Sequence, residues 1–99
     1  MIKHVALMWL RDAAQRPDIQ EVIALVGELE KITVVRELVC GPAMFSDWEG
    51  IDPGFDVGMI LTLDSLQDVP AYRFDPVHLR VAARLHEMCA RIQGYYISC

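Results

Sequence analysis

Ile2-Lys3-His4-Val5-Ala6-Leu7-Met8-Trp9-Leu10 reads as a strand, and its two faces decide the fold. Alternation puts Ile2, His4, Ala6, Met8 and Leu10 on one face, and Lys3, Val5, Leu7 and Trp9 on the other. Both faces are largely apolar, so both need a cover. Residues 11–16 form a polar connection. Pro17-Asp18 then opens a helix with Ile19, Val22, Ile23, Val26 and Leu29 on one stripe. Gly27 within it costs about 1 kcal/mol relative to Ala, which implies close packing there. Residues 34–41 read as a second strand. A long loop, 42–54, carries Trp48 and leads to a third strand, 55–63, with Phe55, Val57, Met59, Leu61 and Leu63 on one face.

The second half repeats the helix–strand pattern. Ser65-Leu66-Gln67-Asp68 is a weak capping box before a short helix that Pro70 disturbs. Asp75-Pro76 is a stronger start, because Asp is a favoured N-cap and Pro a favoured first helical residue. The helix it opens runs over 76–91, with Val77, Val81, Leu85, Met88 and Ile92 as its stripe. Gly94 terminates it as a C′ residue would, and 95–99 form a last short strand. The order β-α-β-β-α-β is the α+β, ferredoxin-like arrangement, as one domain over residues 1–99. Such a sheet carries helices on one face only. A second copy packed on the other face, giving a homodimer and a dimeric α+β barrel, supplies the missing cover.

Composition narrows the function classes. Apolar residues make up 54% of the chain, more than a small domain readily hides, which suggests an internal pocket or a partner surface. A net charge of −5, without a basic patch, argues against nucleic acid. No apolar run nears the roughly 18 residues of a membrane span, and the strand-like start leaves no sign of a signal peptide. Cys40, Cys89 and Cys99 are odd in number and form no C-x-x-C pair. They read as free thiols in a cytoplasmic protein, the first two in the core. No His, Cys, Asp or Glu cluster has metal-ligand spacing, so no metal is expected.

The chemistry-bearing stretch is Ala71-Tyr72-Arg73-Phe74-Asp75-Pro76-Val77-His78. His78 falls in the first helical turn, where free N–H groups and the helix dipole disfavour its protonation. A neutral imidazole beside a phenol is a plausible general base with a hydrogen-bonding partner. The plainer reading is that Asp75-Pro76 starts a helix and that Tyr72 and His78 are a core aromatic and a half-buried histidine. His4 on a strand reads first as a satisfied, half-buried histidine and second as a pocket group, and Trp48 reads equally as a pocket lid or as cover for a core edge. His86 is offset about 80° from His78 around the helix and reads as surface.

These residues together resemble the stress-responsive A/B barrel (Dabb) family over nearly the whole chain. Met1-Ile2-Lys3-His4-Val5 looks like its first strand. Phe55-Asp56-Val57 through Leu63-Asp64-Ser65-Leu66 looks like its third strand and the turn after it. Tyr72 followed by Asp75-Pro76-Val77-His78 looks like its tyrosine and His-Pro-x-His, with Asp75 replacing the first histidine. The resemblance implies a dimeric barrel. Through the family's olivetolic acid cyclase-type members it also implies cofactor-free polyketide cyclase chemistry. His78 would then be the base, Tyr72 the carbonyl-polarising group, and His4, Ala6, Met8 and Trp48 the binding residues for a small apolar or aromatic-precursor ligand. A non-catalytic ligand-binding or stress-protective dimer, and a cofactor-free monooxygenase, are the other functions the same scaffold implies.

Overall fold

The computed structural model describes residues 1–11, 19–51 and 54–99. The expected helix start at Pro17-Asp18, and Pro53 of the loop, lie outside the described residues. Four strands, β1 (Ile2–Leu10), β2 (Glu37–Pro42), β3 (Val57–Leu63) and β4 (Cys89–Ser98), form one sheet in the order β2-β3-β1-β4. All neighbouring strands are antiparallel. Three helices, α1 (Ile19–Gly27), α2 (Val69–Arg73) and α3 (Pro76–Met88), complete the ferredoxin-like fold. The core lies between helices and sheet. Ile2, Ala6 and Met8 of β1 and Val57, Met59, Leu61 and Leu63 of β3 meet Val22 and Val26 of α1 and Val81, Leu85 and Met88 of α3. These are the strand faces and helix stripes that periodicity selects.

Among the described residues no helix covers the opposite sheet face. Val39 is 56% exposed, Ile60 45%, Tyr95 51% and Ile97 51%, all on this side of neighbouring strands. It is the apolar face that the alternation of β1 says must be covered.

Several boundaries move, each for a local reason. Residues 32–35 form a turn closed by Val35 N–H donating to the Ile32 carbonyl (3.0 Å). Pairing of β2 with β3 therefore starts at Glu37, not at Val34. Phe55 is not part of β3. Asp56 is tied to the end of β1, its N–H donating to the Met8 carbonyl (2.8 Å) and its carboxylate accepting from the Leu10 N–H (2.8 Å). The Phe55 ring instead lies over Gly58, where a Cβ would come within 3.1 Å of it.

Pro70 does not disturb α2. It occupies the helix's first turn, where its missing N–H costs nothing, and the Ser65 side chain makes no capping bond. Gly27 ends α1 with open space around its missing side chain, so the expected close packing is absent.

The largest correction is at the end of α3. The helix stops at Met88, and Gly94 is not its cap but a mid-strand residue of β4 opposite Ala6. Strand β1 captures the chain from Cys89 onward, with a bulge at Trp9/Leu10. Arg11 takes the last helical carbonyls: its N–H donates to Met88 O (3.1 Å), and its guanidinium to Glu87 O (3.0 Å) and His86 O (2.9 Å). Those bonds do what a glycine cap would otherwise do.

Candidate active site

Asp75 builds the start of α3. Its extended backbone (φ −63°, ψ 138°) turns the carboxylate onto the Val77 N–H, 2.8 Å away, and Pro76 follows in the first turn. This cap turns the chain from α2 into α3 and brings Tyr72 and His78 together. Their ring centroids are 4.6 Å apart at an angle of 58°. His4 reaches the same place from β1. Its ring lies edge-on to Tyr72 at 6.0 Å and stacks on Tyr96 at 4.8 Å. Tyr96 is the cross-strand partner of His4, and two residue pairs further along, opposite Ala6, Gly94 leaves room for the imidazole. A Cβ on Gly94 would stand 3.3 Å from His4 Cε1.

Around these rings is a cavity of about 280 Å³ between α3 and the sheet. Met8, Val81, Leu85 and Ile92 give it apolar walls, while Arg73, His86 and Tyr96 are exposed residues on its border. Its volume is near the lower end of the range for small-molecule sites. Ala6 and Met8 therefore line a space between sheet and helices, not the interior of an inter-sheet barrel. Tyr72, His78, His4, Ala6 and Met8 all border this one cavity. Trp48 does not. It is 76% exposed in the loop after β2, the edge strand farthest from β4. Tyr96, Arg73 and the rim position of His86 went unread in the sequence. Tyr96 becomes visible only through the β1–β4 register, and Arg73 only as the neighbour of Tyr72.

Hydrogen bonds define the imidazoles. His78 Nδ1 lies 2.9 Å from the Arg73 carbonyl, and His4 Nδ1 lies 3.3 Å from the Tyr95 carbonyl. A carbonyl only accepts, so each Nδ1 carries the proton and each Nε2 keeps its lone pair. Burial pushes both histidines below their ordinary range. For His78 the Arg73 carbonyl opposes that fall, the Arg73 charge adds to it, and the Asp75 carboxylate opposes it least. Burial pushes the Tyr72 phenol the other way, well above its ordinary value. Near neutral pH the site thus holds two neutral bases and one protonated phenol.

Tyr72 is only 2% exposed, yet its hydroxyl bonds to no described residue. Among the described residues no fully enclosed side-chain nitrogen or oxygen lacks a partner. The hydroxyl is therefore reached from the cavity and is free to donate to a ligand. Among the described residues no three His, Cys, Asp or Glu side chains are grouped to hold a metal ion.

A four-stranded antiparallel sheet with its helices packed on one face defines the ferredoxin-like α+β class. The chain belongs to the Stress responsive A/B Barrel Domain family, which it matches over residues 2–95. Among solved structures, a protein of Arabidopsis thaliana is 19% identical with a TM-score of 0.82, covering 100% of this chain and 95% of that one. A dimeric ferredoxin-like protein of unknown function from Bacteroides fragilis is 21% identical (TM-score 0.79; 99% and 95% covered). The hydroxynitrile lyase from Passiflora edulis is 22% identical (TM-score 0.79; 98% and 93% covered). No match among curated proteins reaches significance. No helix among the described residues is long and apolar enough to cross a membrane.

Proposed function

We propose that this cavity is the active site of a cofactor-independent, polyketide cyclase-like enzyme acting on a small, largely apolar, enolisable carbonyl compound. The reaction is an intramolecular aldol closure or a closely related proton transfer. The observation that carries the reading is the pairing of a neutral His78 with an unbonded, protonated Tyr72 on one apolar cavity. His78 Nε2 removes a proton from the carbon between two carbonyls, and the electron pair passes into the C–C and C–O bonds of an enolate. The Tyr72 hydroxyl donates to the oxygen that gains charge, as an oxyanion donor does. The new C–C bond forms when the enolate carbon attacks a further carbonyl along the same chain, whose C=O π pair becomes an alkoxide and takes a proton back from the imidazolium. The apolar walls hold the chain folded, and such positioning supplies several kcal/mol of a barrier.

A proton between two carbonyls is acidic enough for an imidazole with an ordinary value of about 6.5 or below. The similarity to a hydroxynitrile lyase supports carbonyl chemistry on this scaffold without specifying it. The working unit is a homodimer, for two reasons: the open sheet face is apolar, and a similar structure is described as dimeric. His78→Ala tests the chemistry. It should lower turnover of a short poly-β-ketone by about 100- to 10,000-fold while the protein stays folded. A His78→Ala protein that closes the ring at the parental rate refutes the mechanism. If no turnover exists to lose and only ligand affinity or melting temperature falls, the protein is a binding protein.

A further inference from the structure

The polar border of the cavity is unusual for so acidic a chain. His4, Tyr72, Arg73, His78, His86 and Tyr96 supply it, and no described Asp or Glu lines the cavity. The chain as a whole carries 14 acidic against 9 basic residues. The other described cations are engaged elsewhere. Arg36 pairs with Asp64, Arg80 with Glu28, and Arg84 with Glu21 and Glu87. Lys31 lies beside Glu28, and Lys3 donates to Thr62. Arg11 is spent on helix carbonyls, and Arg91 lies over the Trp9 ring. Among the described residues, the Arg73 side chain has no hydrogen-bond, ion-pair or ring partner. It stands at the exposed border of the cavity, one residue from the catalytic-site phenol, and its charge acts on His4, Tyr72 and His78 alike.

We infer that Arg73 is a specificity residue that selects ligands bearing a free carboxylate on an apolar body. The planar guanidinium fork matches a carboxylate in two parallel, charge-assisted hydrogen bonds. Its place at the rim lets the charged end keep part of its hydration while the apolar remainder enters toward Met8, Leu85 and Ile92. Binding in this sense orients the ligand end for end. The inference rests on reading the cavity as the substrate site, and it narrows the substrate from any enolisable ketone to a keto acid.

The test uses ligands that cannot react, so it is independent of turnover. Octanoate and octanamide share one apolar body and differ in the charge of the head. Titration calorimetry at pH 8, with His4 and His78 neutral, should show octanoate binding the parent about tenfold or more tightly. In Arg73→Gln the octanoate affinity should fall to that of octanamide, with octanamide unchanged. Arg73→Lys keeps the charge without the fork and should retain part of the preference. His78 hydrogen-bonds to the backbone carbonyl of Arg73, so these substitutions leave that contact in place. His78→Ala should keep the preference even where it abolishes chemistry, which separates failure of this inference from failure of the cyclase reading. Equal affinities in the parent, a preference that survives Arg73→Gln, or an equal loss of both ligands in that variant would overturn the inference.

Discussion

Tyr72→Phe separates chemistry from stability because the hydroxyl it deletes has no partner among the described residues. Removing one member of a buried hydrogen bond normally strands the other, at about 1–3 kcal/mol. No stranded group arises here, and the ring is retained between His78 (4.6 Å) and His4 (6.0 Å). Stability should therefore change by less than the about 1–3 kcal/mol of a stranded partner. Turnover should fall by roughly 100-fold or more, the scale of losing one oxyanion donor. Two assays decide it. One is thermal denaturation of parent and variant; the other is ring closure of a short poly-β-ketone, followed by the absorbance of the aromatic product. A variant that unfolds several degrees earlier and loses activity only in proportion would make the hydroxyl structural. A stable variant at the parental rate would remove Tyr72 from the mechanism.

Asp75→Ala should cost about 1 kcal/mol in chemical denaturation through loss of the bond to the Val77 N–H, and Asp75→Asn should recover most of it. If Asn restores stability but abolishes activity, the carboxylate belongs to the chemistry. Activity should be constant above the ordinary histidine value of about 6.5 and fall as pH drops below it, because burial lowers His78 and a protonated base cannot act. Stability should weaken in the same window, since the unfolded chain protonates His4 and His78 before the folded one does. An activity profile with an acid limb centred above pH 7 would refute the neutral-base assignment. Sedimentation at micromolar concentration should give about twice the 11.2 kDa chain mass, and a stable folded monomer would refute the homodimer.

What the sequence conveyed, and what it withheld, follows from the range of the interactions involved. Strand β1 and helix α3 were legible because their periodicity is local, and so was the Asp75 cap, which joins residues two apart. Tyr72 and His78 were legible as a pair for the same reason: six residues apart, they flank the one helix start at Asp75-Pro76. The end of α3 was not. Gly94 has the signature of a helix terminator, yet its role is set by pairing with β1, nearly ninety residues away in sequence. Arg11 also supplies the helix cap from far off, its bonded carbonyls lying 75 and 76 residues along the chain. Trp48 is the converse case, a large aromatic in a long loop whose two local readings are equal and whose separation from this cavity within the chain appears only through the strand order.

One physical cause unites the three central groups. Burial is the largest influence on His4, Tyr72 and His78, and it acts in the direction that keeps each of them uncharged. A solvated site would hold a partly protonated imidazole, a poorer base, and water would compete for the phenol's single donor. The same apolar walls that suit the proposed hydrophobic ligand therefore set the acid–base state that the proposed reaction needs. The glycine at position 94 is part of that arrangement. With a side chain there, His4 would have to move by a few tenths of an ångström or leave its stack on Tyr96, disturbing the β1–β4 side of the site. Backbone economy at one strand position thus serves the electrostatics of a cavity formed by residues from both ends of the chain.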